Sequence, residues 1–230
     1  MAKRAKVGNS VKKRFARKEQ QRKQAIRSIR QYVLIVCEGE QTEPNYFESF
    51  KTDLPRGVLD NNRIEIEGEG KNTLSLIDEV VKLRNRRERE VGRKFDQTWA
   101  VFDKDDFPAQ NFNNAIFKAA ATQPLIQCAW TNEAFELWYC LHFCYIQHAM
   151  PREDYAARIS EELSKRMGQP FTYQKNDPGM YALLRAYGNR RQAQAWAIQL
   201  ETSHGETPNY ADQNPCTKMH HLVNALEDLR

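Results

Sequence analysis

The sequence predicts an α/β fold: a mainly parallel sheet flanked by helices, followed by a helical C-terminal part. Three observations carry this. Short apolar runs alternate four times with stretches of helical periodicity up to about residue 148, the pattern of repeated βα units. Two of those runs end abruptly in acidic residues. From Pro151 onward strand-like patterning stops and helical spacing takes over.

The first strand is read at 32–37, an apolar run with β-branched residues bounded by Gly39 and Pro44. Tyr46, Phe47 and Phe50 then recur at three- and four-residue steps, which predicts a helix over 44–51 with Pro44 in its first turn. Residues 53–57 read as a loop from Pro55 and Gly57. Alternation over 63–67 predicts a second strand, exposed on one face. Residues 68–72 form a turn whose Gly-x-Gly-Lys lacks the rest of a Walker phosphate loop. Leu74, Ile77, Val80, Val81 and Arg84 keep helical spacing behind Asn72 or Thr73 as cap. The third strand is read at 98–103, then a helix opened by Phe107 and Pro108 and running through 113–121, then a fourth strand at 124–130. Thr131 is read as the cap of a long helix over 133–148, with Phe135, Leu137, Trp138, Leu141 and Phe143 inside. Further helices are expected at 151–167, 177–201 and 215–229.

A chain of 230 residues with 40% hydrophobic content supports one compact domain with appended segments. The division read here is a basic, disordered tail over 1–30, an α/β core over 31–150 and a helical extension over 151–230 packed on it. No apolar run approaches the ~20 residues of a membrane span, and the charged N-terminus lacks the apolar stretch of a secretory signal. A cytoplasmic protein without membrane contact is therefore expected. Five cysteines, an odd number, argue against a disulfide framework. Cys140, Cys144 and His148 would share a helix face, but their aromatic neighbours favour core packing over a zinc site. Residues 1–30 hold twelve Lys/Arg and one Glu, a net +11. The rest, with 23 basic and 29 acidic side chains, carries −6. Such a tail, with Lys12, Lys13 and Arg14 at its centre, suits phosphate contact as well as it suits a solvated end. The same two readings apply to the basic stretch 84–94, where Arg86, Arg87, Arg93 and Lys94 either complement the helix dipole or meet phosphate.

The chemistry lies in the acids. Glu38 and Glu40 follow the first strand, and Asp103 and Asp105 end the third. A one-residue gap puts two carboxylates on one face of a strand. Like charges brought this close are hard to keep ionised without a cation, and oxygen donors of this kind suit Mg2+ or Mn2+. The plain alternative for each acid is an exposed strand-end carboxylate. An EF-hand starting at Asp103 is excluded, because Pro108 and Asn114 stand where Gly and Glu are required. Glu136 sits among aromatics, where a carboxylate is costly unless it meets a partner or a cation. Glu43 and Asp106 stay undecided, Asn132 and Glu133 read as helix-start residues, and His142 and His148 as packed or surface groups. Lys104, Lys175 and Lys218 are candidate phosphate contacts.

The segment Leu34-Ile-Val-Cys-Glu38-Gly-Glu40-Gln-Thr-Glu43-Pro-Asn-Tyr-Phe47, the Asp103-Lys-Asp105 strand end, Asn132-Glu-Ala-Phe-Glu136-Leu-Trp-Tyr-Cys-Leu-His142-Phe143 and Asn214-Pro-Cys-Thr217 together resemble the RloB-like family. The Glu-Gly and Asp-x-Asp strand ends also resemble the wider Toprim pattern. The resemblance runs from about Tyr32 to the C-terminus. It implies a Toprim-like sheet and a Mg2+-dependent endonuclease. Glu38, Asp103 and Asp105 would be catalytic, with Glu40 and Glu136 joining the metal set. It also implies a role in prokaryotic phage defence or abortive infection. RNA, tRNA included, and DNA remain open as substrates. A partner ATPase or sensor protein would suit such a role, and a homo-oligomer is left open. The second reading is a nucleic-acid-binding or regulatory partner without chemistry. It draws on a departure from the pattern: Phe107-Pro108 stands where many Toprim sequences have Gly. The chain is too short for topoisomerase-like strand passage, and no nucleotide contact points to a primase.

Overall fold

A computed structural model of the chain describes residues 14, 17, 18, 30–68 and 73–229. Lys12 and Lys13, and the turn at Lys71 and Asn72, lie outside the described residues. Five strands form one sheet in the order β2-β1-β3-β4-β5. These are β1 (Gln31–Cys37), β2 (Asn62–Gly68), β3 (Gln97–Asp103), β4 (Gln127–Asn132) and β5 (Cys216–Thr217). The first four run parallel, and β5 is antiparallel to β4.

The unbroken apolar run of β1 is that of a central strand covered on both faces. Val33, Ile35 and Cys37 enter one hydrophobic cluster, and Tyr32, Leu34 and Val36 the other, as the two-residue period requires. The first face is covered by α1 (Thr42–Asp53), with Tyr46, Phe47 and Phe50, and by the short α2 (Arg56–Asn61) through Val58. The second is covered by α3 (Thr73–Val91) and α4 (Ala109–Ala120), through Leu76, Ile77, Val80, Phe112 and Ala115. The later helices α5 (Glu136–Cys140), α6 (Arg152–Met167), α7 (Met180–Tyr187), α8 (Arg190–His204) and α9 (Met219–Glu227) all join the first cluster. From β1 the chain steps to β2 along one face, then crosses back over β1 to β3 along the other. The order therefore reverses between β1 and β3. The crevice at the carboxyl ends of two such strands is where open α/β sheets bind ligands.

Five expectations are corrected. The loop read at 53–57 gives way to α2, with Pro55 at its cap and Gly57 inside it. The fourth strand sits further along the chain and ends at Asn132. Thr131 is therefore not a helix cap: its hydroxyl is 2.9 Å from that of Thr217 on β5, the strand hidden in the Asn214-Pro-Cys-Thr217 motif. The long helix over 133–148 shrinks to the five residues of α5. Carbonyls just past it are taken by other elements, His142 O by Asn189 N–H and Phe143 O by Arg166, which ends the helix without leaving buried acceptors unpaired. The helix read over 177–201 is broken at Gly188. A Cβ there would lie 2.7 Å from Leu184 O and 2.8 Å from His142 Cβ. Asn189 then caps α8 by accepting from Gln192 N–H at 3.1 Å.

Candidate functional site

The backbone ladder between β1 and β3 continues one residue past the strand: Glu38 N–H donates to Val101 O at 2.8 Å. This sets Glu38 beside Asp103, whose N–H lies 3.4 Å from Glu38 Oε2. The turn then doubles back so tightly that a Cβ on Gly39 would collide with the Glu43 carboxylate. The Glu43 carboxylate fills the space a side chain would take there, and the turn brings Glu43 under the same roof. Asp103, in turn, starts α5: its Oδ2 accepts Phe135 N–H at 2.9 Å. An acid from the sheet thus satisfies an orphan helix-start donor, and Glu136 is delivered next to it.

These elements enclose a cavity of about 420 Å3 lined by Glu38, Glu40, Glu43, Asp103, Asp105 and Glu136, with Arg152 and Lys175 as the cations. Asp103 is only 6% exposed. Burial pushes its carboxyl well above the usual carboxylate range, and repulsion from Glu43 and Glu136 adds to this, against the Phe135 N–H and Arg152. Glu43 is raised too, first by burial, with Glu136 adding to it. Asp103 Oδ1 and Glu136 Oε2 are both buried without a hydrogen-bond partner among the described residues. The other Glu136 oxygen accepts from the Tyr173 hydroxyl at 3.0 Å. Asp105 pairs with Arg152 at 2.7 Å. Lys175 is brought to the rim because its neighbour Asn176 is tied to α1, accepting from the Thr42 hydroxyl at 2.6 Å and from Asn45 at 3.3 Å. The orphaned oxygens are what a hard divalent cation would satisfy, and the donor set is all oxygen.

The family profile for RloB-like protein matches residues 33–226. The chain belongs to the RloB-like protein family. No curated protein and no solved structure matches it. The matched span of this RloB-like chain takes in every strand end that lines the cavity.

Of the sequence-predicted site residues, Glu38, Glu40, Asp103, Asp105, Glu136 and Lys175 converge on one cavity. The reason given for pairing Asp103 with Asp105 is corrected. β3 stops at Asp103 and Asp105 turns with φ 38, so the two acids are not strand neighbours on one face. Asp105 instead groups with Asp106 and Glu133, whose carboxylate oxygens all lie within 4.8 Å. Burial, then Asp105 and Asp106, raise Glu133. Lys104 does not line the cavity; its N–H bonds Thr131 O and its ammonium bonds Asp105 O at 3.1 Å.

The stretch 84–94 lies at the end of α3 that feeds the start of β3, the sheet edge opposite the cavity. A seven-residue strand separates Arg93 and Lys94, at that end, from the acids by roughly 20 Å, so those two cannot share a phosphate with the acids, whereas Arg87 reaches back to Glu67 near the carboxyl end of β2. Arg87 is held by Glu67, Glu65 and Glu90, and Arg93 by Asp96. Arg86, Lys94 and Arg14 are exposed. Lys218 pairs with Glu201. His142 is buried, with Nδ1 2.8 Å from Trp138 O, and burial pushes it down to about 4. Cys140 and Cys144 are free, and His148 is exposed beyond the end of α5. Sequence reasoning missed Arg152 and Tyr173, which arrive from the C-terminal part. No local signal marks Tyr173, whereas Arg152 carries one, an arginine at the start of a helix, against its dipole.

Proposed function

We propose that this RloB-like protein is a metal-dependent nuclease that hydrolyses phosphodiester bonds in RNA, tRNA included, or DNA, in prokaryotic phage defence. One observation carries the reading: two neighbouring buried carboxylates, Asp103 and Glu136, each keep an oxygen without a partner at the switch point of the sheet. Glu38, Glu40, Asp103, Asp105 and Glu136 would hold Mg2+ or Mn2+, with Glu43 closing the set. When bound, the ion supplies an activated water and neutralises charge on the leaving oxygen. The chain's own groups position the rest. The Phe135 N–H fixes the orientation of Asp103. Tyr173 holds Glu136 by one oxygen and leaves the other facing the cavity. Lys175, exposed at the rim, receives a substrate phosphate as a mobile point charge. Arg152 orients Asp105 and adds positive charge beside the phosphate position.

The Arg152–Asp105 ion pair also favours a second reading, a nucleic-acid-binding or regulatory subunit, since a guanidinium already neutralises one of the acids. Cleavage of a panel of tRNA, single- and double-stranded RNA and DNA, with Mg2+, Mn2+ or EDTA, separates the two. The nuclease reading expects metal-dependent cutting that disappears in Asp103→Ala and Glu38→Ala with folding intact. Absence of cutting, with nucleic-acid binding unchanged in both variants, would refute it and leave the binding subunit.

A further inference from the structure

A second group of ligand-type side chains lies outside the acidic cavity, where α8 and α9 meet. Glu201 comes from the last turn of α8, and His220 and His221 from the first turn of α9. Nε2 of His220 is 3.0 Å from Glu201 Oε2, and Nε2 of His221 is 2.9 Å from the same oxygen. The three ligand atoms all lie within 4.8 Å of one another. In a tetrahedral zinc site, donors about 2.0–2.1 Å from the ion stand roughly 3.3 Å apart, so these contacts fall within a few tenths of an ångström of a ligand edge. Consecutive residues on a helix point about 100° apart. Here the two rings nonetheless lie 4.0 Å apart at 36°, both turned onto Glu201.

His220 supplies the independent observation. It is 1% exposed, yet neither ring nitrogen has a hydrogen-bond partner. Its Nε2 lies 3.0 Å from Glu201 Oε2 without forming a hydrogen bond to it. A buried imidazole without a partner is costly, and an ion lying between the three groups would satisfy it. Lys218 takes the other carboxylate oxygen, Oε1, at 2.5 Å, which leaves Oε2 as the donor facing the histidines. His221 is half exposed, so water can complete the shell.

We propose that Glu201, His220 and His221 form a metal site for a borderline divalent transition ion of the Zn2+ class, fastening α8 to α9. Imidazole donors suit such ions, whereas Mg2+ keeps to oxygen. The site also clamps the edge of the sheet. Lys218, two residues before His220, donates its N–H to Trp130 O at 2.8 Å, and β5 precedes it directly. The inference is independent of the nuclease reading, because none of the three residues lines the acidic cavity.

The test uses untagged full-length protein, stripped with EDTA and titrated with Co2+, reading the visible ligand-field absorption and then displacement by Zn2+. Expected is one tetrahedral Co2+ per chain, displaced by Zn2+ and not by Mg2+. His221→Ala and Glu201→Gln should each weaken Co2+ binding by at least roughly tenfold. His221 is a surface residue, so its alanine variant leaves the core intact, which circular dichroism verifies. Asp103→Asn should bind Co2+ as the parent does. No Co2+ absorption on the folded parent would overturn the proposal. So would binding undiminished in both His221→Ala and Glu201→Gln, or binding lost in Asp103→Asn in their place.

Discussion

Replacing Asp103 by Asn removes one negative charge from the acidic cavity and keeps an oxygen to accept the Phe135 N–H. The folded-state pKa of Asp103 is raised, by burial and then by Glu43 and Glu136, above its unfolded value of about 3.9. A carboxyl raised in this way contributes stability that is fully present below the unfolded pKa and is lost as pH rises through the folded one. Metal-free protein therefore carries more of this penalty near pH 8 than near pH 5. One orphaned buried polar atom costs about 1–3 kcal/mol, more when charged. Asp103→Asn should then raise metal-free stability by about 2 kcal/mol, or roughly 4–8 °C in Tm for a chain of this size. The parent should instead be rescued by metal: Mn2+ at about 100 times its Kd adds ~2.7 kcal/mol, close to 5–10 °C. The Asn variant should gain little. Thermal unfolding of both proteins in EDTA and in Mn2+, near pH 8 and near pH 5, reads all of this, and the metal-free difference should shrink at the lower pH. A lower Tm for Asp103→Asn in EDTA near pH 8, or the same metal shift in both proteins, would show the reasoning to be wrong.

Lys175→Ala should weaken nucleic-acid binding across all sequences and reduce the salt slope of log K by about one; an unchanged slope in a filter-binding or anisotropy series would remove Lys175 from the interface. His142 is pushed down to about 4 by burial, below its unfolded value of about 6.5. The unfolded chain therefore binds the extra proton between those values, and stability falls by about 1.4 kcal/mol per pH unit as pH drops through the window. His142→Asn should flatten that part of the urea-derived stability profile, and an unaltered slope would exclude His142 as its source. Gly188→Ala, whose Cβ meets backbone at 2.7 Å, should cost about 1–3 kcal/mol; equal denaturation midpoints would mean the turn relaxes freely.

Local pattern made the sheet legible. β1, β2 and β3 follow from runs with period two or with no polar face, and α3 and α4 from three- and four-residue spacing, because those signals are written in consecutive residues. For the same reason the sequence places Glu38 and Asp103 at the ends of strands able to lie side by side. Asp105 lies at the cavity, held there by a turn and an ion pair with Arg152 and not by the strand periodicity expected of it.

What the sequence by itself determined is the α/β alternation and an acidic edge at the carboxyl ends of two strands. Tertiary structure alone decided the rest. It set the length of α5, because carbonyls at His142 and Phe143 find donors 47 and 23 residues away. It recruited β5, since Thr217 pairs with Thr131 across the chain. It brought Arg152, Tyr173 and Lys175 over the acids, and set Arg93 and Lys94 at the opposite end of the sheet. Each of these depends on contacts between residues far apart in sequence. Their free energy is shared between two segments, so neither segment carries a pattern that announces it.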